Sequence, residues 1–170
     1  GILSEARDEK IGLHVQDSAL MVDGSEGRFK VIAAADEDYP DIPDFPEGPC
    51  LEIEGAVLRE MIEKTIFAVS VEKQRYALNG VLLSATENAA KIEMVGTDGH
   101  RLAVIKRRAN APSPWASSAI LSVKMLQQAQ KMVGEEEIAK VMITERQAII
   151  KTENGVLVGQ LVEGRFPEYQ

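Results

Sequence analysis

The sequence predicts an α+β fold in which one strand, one helix and three strands form a unit that occurs twice, at about 50–108 and 117–165. Three observations lead to this prediction. An apolar stripe with helical spacing follows Gly55, and a second one follows Ser122. After each stripe come three short segments in which apolar and polar residues alternate, as they do in half-buried strands. We therefore expect both helices to lie on one side of antiparallel sheets.

The first unit begins with a short strand around Leu51 and Ile53. Gly80 is interpreted as the start of the next strand rather than as part of a hairpin turn, because no preceding strand is available to pair back. A turn is expected at 87–88, and the polar turn 97–101 joins the last two strands. The helix between the first two strands has an apolar stripe of Leu58, Met61, Ile62, Thr65, Ile66 and Val69.

The second unit starts with a strand at 119–121, after which Ser122 is expected to cap a helix that Gly134 ends. Three strands are expected at 140–144, 148–152 and 156–162, with a tight turn at 154–155. The core side of the helix is expected to carry Ser122, Met125, Leu126, Ala129, Met132 and Val133.

Residues 1–49 differ in character from the rest. Period-two alternation places Ile11, Leu13 and Val15 on one face of a strand and His14 on the other, exposed face. The acidic stretch 36–49 contains four prolines and is interpreted as an extended linker. A weak repeat at an offset of roughly 130 residues predicts that this part is the closing half of a domain of the same kind.

The acidity of the chain is local. Its net charge is −8; residues 1–49 hold 12 acids and 4 bases, whereas residues 50–170 hold 15 of each. An acidic protein can still present a basic strip to DNA if that strip is confined to one surface.

Several classes of protein are not indicated. The sequence has no apolar run near the roughly 18 residues of a membrane span and no amino-terminal signal, so a soluble, cytoplasmic protein is expected. The single cysteine, Cys50, is interpreted as a small buried side chain at a strand start. His14, Cys50 and His100 lack metal-ligand spacing, so no metal or cofactor is expected. Because the chain starts with Gly1 rather than methionine, we expect a fragment.

The second helix offers the clearest surface for nucleic acid. Lys124, Gln127, Gln128 and Lys131 follow the spacing of one outer helix face, which carries no acid. Lysine and glutamine side chains on such a face can contact DNA phosphates without distinguishing between bases. The alternative interpretation is an ordinary solvent-exposed helix face that lacks acids. The outer face of the first helix is mixed, with Arg59 and Lys64 beside Glu60 and Glu63, and the basic run 106–108 is interpreted as a solvated strand end.

The turn 97–101 holds polar residues that turn geometry alone does not explain. Asp98 and Gly99 tolerate the backbone conformations of a tight connection, but His100 and Arg101 are not needed for it. They can be ordinary exposed residues. A catalytic reading, with Asp98 orienting His100 as a general base, lacks a nucleophile motif, a phosphate-binding loop or a second histidine nearby.

Three stretches resemble one family. Thr-Asp-Gly-His-Arg-Leu-Ala at 97–103, Arg-Tyr-Ala-Leu-Asn-Gly-Val-Leu at 75–82 and Val-Glu-Gly-Arg-Phe-Pro-Glu-Tyr at 162–169 are similar to signatures of the bacterial DNA polymerase III beta subunits, the replicative sliding clamps. The resemblance implies the DNA clamp fold, with residues 1–48 as the end of the first clamp domain plus a linker and 49–170 as the complete middle domain, ending at the junction to a missing third domain.

The resemblance also implies a function. In this family a ring-shaped homodimer encircles duplex DNA without sequence preference, catalyses nothing and tethers the polymerase catalytic subunit, the clamp loader and repair proteins. Its partner-peptide pocket, which accepts a glutamine and apolar anchors, matches Leu78, Thr97, Gly99, His100, Arg101 and Leu102. Its DNA-facing positions match Arg75, Tyr76 and Lys124, to which the helix argument adds Lys64, Lys73, Gln128 and Lys131.

Two departures qualify these expectations. The chain stops at Gln170, where the family continues, so we expect that this polypeptide alone cannot close a ring. Ala77 stands where the family often has an aromatic residue, which predicts a weaker DNA contact there. A peptide-binding module that does not encircle DNA is the alternative function.

Overall fold

A computed structural model describes residues 8, 10–25, 27–32, 45–72, 76–85, 91–108 and 118–169. The chain divides into two compact units, Gly1–Ile42 and Pro43–Gln170. The predicted turn at 87–88 and most of the acidic linker lie outside the described residues.

The compact unit Gly1–Ile42 contains an antiparallel sheet with the strand order β1-β2-β3. Its strands are Gly12–Gln16, Ala19–Gly24 and Gly27–Ile32. His14 is exposed, as predicted, and its Nδ1 lies 3.3 Å from Asp23 Oδ2. The apolar face of β1 is exposed as well, since Val15 keeps 75% of its accessible surface. The reason is that no described element covers this face of the strand.

The two predicted strand-helix units are confirmed in Pro43–Gln170. The first comprises β4 (Leu51–Glu54), α1 (Gly55–Ile66), β5 (Gly80–Ala85), β6 (Lys91–Thr97) and β7 (Leu102–Arg108). The strand start at Gly80 is confirmed, and a short 3-10 turn, Tyr76–Leu78, precedes it.

The second unit repeats the same order of elements. It comprises β8 (Ser118–Ser122), α2 (Val123–Met132), β9 (Ile138–Ile143), β10 (Gln147–Thr152) and β11 (Gly155–Gln160). The helix ends two residues before Gly134, and Gly155 adopts a φ of 148° in the tight turn between β10 and β11.

The two strand-helix units of Pro43–Gln170 exchange their first strands. The sheets have the orders β11-β10-β9-β4 and β7-β6-β5-β8, so β4 joins the strands of the second unit and β8 joins those of the first. Leu51 pairs with Val141 in one sheet, and Leu82 pairs with Ile120 in the other. Each sheet is therefore complete only when both units are present.

Both helices pack on the same side of the sheets. Leu58, Met61 and Ile62 of α1 share one hydrophobic core with Leu126 and Ala129 of α2 and with the inward side chains of both sheets. The predicted stripe of α1 is confirmed in its buried residues, and the apolar spacing of both helices explains why they face this core.

The helix termini are satisfied in different ways. Ser122 caps α2 by accepting a hydrogen bond from the backbone of Met125, as predicted. The start of α1 has no side-chain cap; Gly55 N instead donates to the carbonyl of Glu137 at 2.8 Å. A Cβ at Gly55 would lie 1.8 Å from the carbonyl oxygen of Gly134, so only glycine fits this close approach.

Arg59 is not on an outer face, and that part of the sequence interpretation is wrong. Its Nη1 donates to the carbonyls of Gln130 and Val133, at 3.0 and 3.2 Å. These carbonyls belong to the last turn of α2, where a cation and a hydrogen-bond donor are both favourable. Arg59 therefore joins the two helices.

Candidate functional site

The turn between β6 and β7 is held by its own side chains. Thr97 and Leu102 form the last pair of the hairpin. The Thr97 hydroxyl donates to the carbonyl of Arg101 at 2.7 Å and accepts from Gly99 N at 3.1 Å. Gly99 has a φ of 90°, which explains why a glycine occupies this position.

Asp98 completes the turn. Its Oδ1 accepts from the backbone amides of His100 and Arg101, at 2.9 and 3.0 Å, and its Oδ2 lies 3.0 Å from Arg101 Nε. The two amide hydrogen bonds, first that of His100 and then that of Arg101, hold the pKa of Asp98 below its usual value. The sequence analysis assigned Asp98 to the turn for its backbone conformation, and the structure adds that its carboxylate closes the turn by hydrogen bonding.

The turn is also attached to the end of α1. The Arg101 guanidinium lies over the ring of Phe67, 5.9 Å from its centroid, directly after the helix. A Cβ at Gly96 would lie 2.3 Å from the carbonyl oxygen of Thr65, so β6 and the helix end approach closely. Phe67 is 58% exposed. The sequence gives no local signal for this contact, because the residues are 34 positions apart.

Leu78, Thr97 and Leu102 are brought to one end of the sheet. Leu82 pairs with Val95, and this antiparallel register places the start of β5 opposite Thr97. Leu78 lies two residues before that start, and its carbonyl accepts from Ser70 N at 2.9 Å. Leu78 is half-buried and Leu102 is 49% exposed, while His100 and Arg101 are exposed.

The segment 162–169 covers the sheet face opposite the helices. Phe166 and Tyr169 pack against a cluster formed by Leu82, Val95 and Ile120. The Tyr169 hydroxyl donates to Glu93 Oε1 at 2.6 Å, and burial together with this hydrogen bond raises the pKa of Tyr169 to about 12. Sequence reasoning recognised this stretch but assigned it no place in the site.

A cavity of about 1010 Å³ lies beside this segment. It is lined by Leu82, by the start of β8, by Glu145 and Arg146 of the β9–β10 turn, by the end of β11 and by 162–169. The residues of the turn 97–101 do not line it. This cavity is therefore distinct from the predicted peptide site.

The predicted DNA-facing residues lie in several places. Lys124, Gln128 and Lys131 are exposed on one side of α2 together with Gln127, and this face carries no acid. Lys64 is exposed near the end of α1. Lys73 and Arg75 lie outside the described residues, and Tyr76 begins the 3-10 turn.

In the basic run 106–108, interpreted as a solvated strand end, Lys106 is exposed and Arg107 is half-buried, and both make ion pairs that the sequence did not indicate. Lys106 Nζ lies 2.6 Å from Glu93 Oε2 on the neighbouring strand. Arg107 donates to both carboxylate oxygens of Glu60 on α1, at 2.9 and 2.6 Å. This hydrogen bonding lowers the pKa of Glu60 and raises that of Arg107. Both side chains thus connect β7 to neighbouring elements.

Within the described residues, no group of three or more histidine, cysteine, aspartate or glutamate side chains could hold a metal ion. None of the described helices has the length and apolar character needed to cross a membrane. Cys50 is half-buried rather than buried and directly precedes β4.

The fold and these surfaces can be compared with known proteins. A family profile, the central domain of the DNA polymerase III beta subunit, matches residues 52–168. The chain belongs to this family. The curated beta sliding clamp of Chlamydia pneumoniae is 31% identical over 167 residues, covering 98% of this chain and 44% of that protein. The chain therefore spans less than half the length of the curated sliding clamps it matches.

Solved structures of beta subunits share the fold. The DNA polymerase III subunit beta of Pseudomonas aeruginosa has 27% identity and a TM-score of 0.82, with 94% of this chain and 44% of that chain covered. The sliding clamp of Bartonella birtlesii, solved bound to griselimycin, has 26% identity and a TM-score of 0.88, with 99% and 46% covered. The α+β clamp fold predicted from the sequence is confirmed.

Proposed function

We propose that this chain is part of a sliding clamp, a processivity factor that encircles duplex DNA as a ring-shaped homodimer. Membership of the DNA polymerase III beta subunit family, over residues 52–168, is the observation that carries the proposal. Within it, residues 1–48 supply the end of the first clamp domain and a linker, and 49–170 supply the middle domain. The protein acts in the bacterial cytoplasm and catalyses no reaction.

The acid-free face of α2 is the proposed contact with DNA. Lysine and glutamine side chains at Lys124, Gln128 and Lys131 can meet phosphates without distinguishing bases. Such contacts are weak and sensitive to salt, which suits a protein that has to slide. Lys64, Lys73, Arg75 and Tyr76 belong to the same proposed surface.

The end of the sheet around the turn 97–101 is the proposed docking site for partner peptides. Exposed Leu102 and half-buried Leu78 offer apolar contacts, and Gly99, His100 and Arg101 surround them with exposed polar groups and open backbone. Thr97 is buried, and its hydroxyl supports the site by holding the turn. The turn is braced by Asp98 and Phe67, so it can present these groups in one conformation. The polymerase catalytic subunit, the clamp loader and repair proteins are the proposed partners.

A titration with duplex DNA tests the first surface. In NMR spectra at low salt, the amides of 124–131 should shift on addition of a duplex of any sequence, and 200 mM salt should abolish the shifts. The double variant K124E/K131E should lose them. The matched control K140E changes a lysine on β9 that is paired with Glu52 and should behave like the wild type. Equal shifts in both variants would contradict the assignment.

A titration with a short peptide containing glutamine and apolar anchors tests the second surface. Amides of the turn 97–101 and of Leu78 should shift, and R101A should weaken binding about tenfold while the fold is retained. Griselimycin, bound in the Bartonella relative, is a second probe. Unchanged peptide affinity in R101A would remove the turn from the site.

The second candidate function is a peptide-binding module that does not encircle DNA. The braced turn favours it equally, because that geometry is independent of the helix face. The DNA titration separates the two functions: the module predicts peptide-induced shifts at the turn and no response of 124–131 to duplex.

A further inference from the structure

Two asparagines of the sequence, Asn79 and Asn154, are each followed by glycine. In such a pair the backbone nitrogen of the glycine can attack the side-chain amide carbon of the asparagine, because glycine has no Cβ to obstruct the approach. The attack needs open space around the glycine, an asparagine side chain that can turn toward it, and water to open the ring that forms. The two pairs have different surroundings in the fold.

The pair of Asn79 and Gly80 lies in packed surroundings. Asn79 is half-buried, and its side-chain oxygen Oδ1 is buried. Gly80 is the buried first residue of β5 and pairs with Ser122 of β8. A Cβ at Gly80 would lie 2.6 Å from the carbonyl oxygen of Leu121. Ring closure at this position would require β5 to separate from β8, so we expect the fold to protect Asn79.

The pair of Asn154 and Gly155 lies in the tight turn between β10 and β11. Asn154 is exposed, and a Cβ at Gly155 would meet no atom within 4 Å outside the adjoining residues. Two hydrogen bonds hold the asparagine: its backbone nitrogen donates to Thr152 Oγ1 at 3.1 Å, and its Nδ2 donates to the carbonyl of Met132 at 2.9 Å. Hairpin tips open locally at a small cost in free energy, and such an opening frees the side chain to turn toward the glycine.

We propose that Asn154 is a site of spontaneous covalent modification, at which the folded chain converts this asparagine into aspartate and isoaspartate through a succinimide. The proposal is independent of the proposed DNA and peptide contacts. Its only co-reactant is water, and nothing is oxidised or reduced.

The reaction has two steps. The backbone nitrogen of Gly155 loses its proton and forms a bond to Asn154 Cγ, while the bond from Cγ to Nδ2 breaks and Nδ2 leaves as ammonia. Water then adds to one of the two ring carbonyls and breaks the bond from that carbon to the ring nitrogen. Opening at Cγ gives aspartate. Opening at the backbone carbonyl gives isoaspartate, in which the main chain runs through the former side chain.

The modification removes a contact between the β10–β11 turn and α2. Met132 is the last residue of the helix, and its carbonyl accepts from Asn154 Nδ2. Both products carry a carboxylate in place of the amide, which cannot donate and which is unfavourable at the negative end of the helix dipole. Glu137 Oε2 already accepts from the backbone of Glu153, so the new charge arises beside existing carboxylates. The turn should therefore be held less firmly to the helix.

Peptide mapping by mass spectrometry tests the proposal. The folded chain is kept in mildly alkaline buffer, which favours loss of the glycine amide proton, and samples are digested at intervals. The peptide that contains Asn154 should gain one mass unit, as NH2 is replaced by OH, and an isoaspartate-specific methyltransferase should label it. Asn154 should react at least about tenfold faster than Asn79, because opening a hairpin tip costs less free energy than separating two strands.

Two controls separate the effect of the fold from that of the sequence. In guanidinium chloride both asparagines should react at similar rates, because neither pair is then protected by structure. N154Q keeps a side-chain amide but would have to close a six-membered ring, which is much slower, so its peptide should keep its mass.

N154D has the side chain of one product and tests the structural consequence. It should lower the thermal midpoint by about 3 °C, the effect of losing one net hydrogen bond in a chain of this length, and should shift the amides of 131–133 in NMR spectra. E153Q removes a charge from the same turn without removing a described contact to the helix, and it should not lower the midpoint.

Three results would overturn the inference. An Asn154 peptide that reacts in guanidinium chloride but keeps its mass in the folded chain would show that the turn protects this asparagine. Equal conversion of Asn79 and Asn154 in the folded chain would show that the fold does not select between them. A thermal midpoint that N154D leaves unchanged would show that the hydrogen bond to Met132 does not hold the turn to α2.

Discussion

The two strand-helix units of Pro43–Gln170 have the same order of elements but differ in what their side chains do. On α1, Arg59 donates to carbonyls of α2, and Glu60 binds Arg107 of β7. The exposed side of α2 instead presents Lys124, Gln127, Gln128 and Lys131 to solvent. Arg59 and Glu60 of α1 are thus engaged within the protein, whereas the polar side chains on this face of α2 are exposed to solvent.

The hairpins of the two units differ in the same way. The β10–β11 turn is short, with Thr152 pairing directly with Gly155. The β6–β7 turn is longer and holds two exposed residues, His100 and Arg101, in a framework made by Thr97 and Asp98. The comparison teaches that one repeated fold can specialise: the first unit presents a turn at its sheet end, and the second presents a helix face.

The largest effect on stability is expected at Gly55, where the start of α1 in the first strand-helix unit approaches Gly134 in the second. In Gly55→Ala the new methyl group meets the carbonyl oxygen of Gly134, and we expect a loss of about 3 kcal/mol in the free energy of unfolding, measured with urea. The control is Gly134→Ala, whose nearest neighbour would be Glu137 Oε1 at 3.4 Å; it should cost less than about 1 kcal/mol. Equal losses of unfolding free energy in the two variants would contradict the expected difference between Gly55 and Gly134.

A smaller effect is expected from the link between the helices. Arg59→Met keeps much of the apolar stem but removes the hydrogen bonds to Gln130 and Val133, which should cost about 2 kcal/mol in urea unfolding. Lys64→Met, at an exposed position of the same helix, should change stability by less than about 0.5 kcal/mol. If both substitutions cost the same, Arg59 does not join the helices.

The difference between the helix caps gives a third prediction. Ser122→Ala removes the side-chain acceptor for Met125 N and should lower the free energy of unfolding by about 1 kcal/mol. Glu54→Ala, at the corresponding position before α1, removes no cap hydrogen bond and should change it by less than about 0.5 kcal/mol. A larger loss at Glu54 than at Ser122 would reverse the comparison.

The smallest effect concerns pH and the turn of the first unit. The folded-state pKa of Asp98 is lowered from 3.8, so its hydrogen bonds stabilise the turn above pH 3.8 and are lost as the pH falls through the folded value. In an NMR titration the amides of His100 and Arg101 should shift with a midpoint below 3.8. Asp98→Asn should abolish this transition, and a midpoint at or above 3.8 would show that the amides do not bond the carboxylate.

Much of the fold could be predicted because its signals are local. The spacing of Met61, Ile62 and Thr65 is enough to indicate a helix and its buried side, and the hydroxyl of Ser122 is enough to indicate a cap. The exchange of β4 and β8 could not be predicted, because strand pairing between units depends on contacts that periodicity does not encode.

The site could be predicted less completely. The turn was recognised by its residue types, yet its support by Phe67 and the engagement of Lys106 and Arg107 depend on residues distant in sequence. Leu13 illustrates a different limit. The alternation of apolar and polar residues assigned it to the apolar face of β1, but alternation alone cannot tell whether another element covers that face, and Leu13 is exposed.

Because the two strand-helix units exchange their first strands, neither unit should fold without the other. A chain severed between β7 and β8 would yield two pieces, each holding one strand that belongs in the other piece's sheet. Neither piece could complete four strands unaided, so the pieces should recover structure only on mixing, by reciprocal strand donation. Long-range pairing of this kind makes the domain a single cooperative body that forms late and all at once.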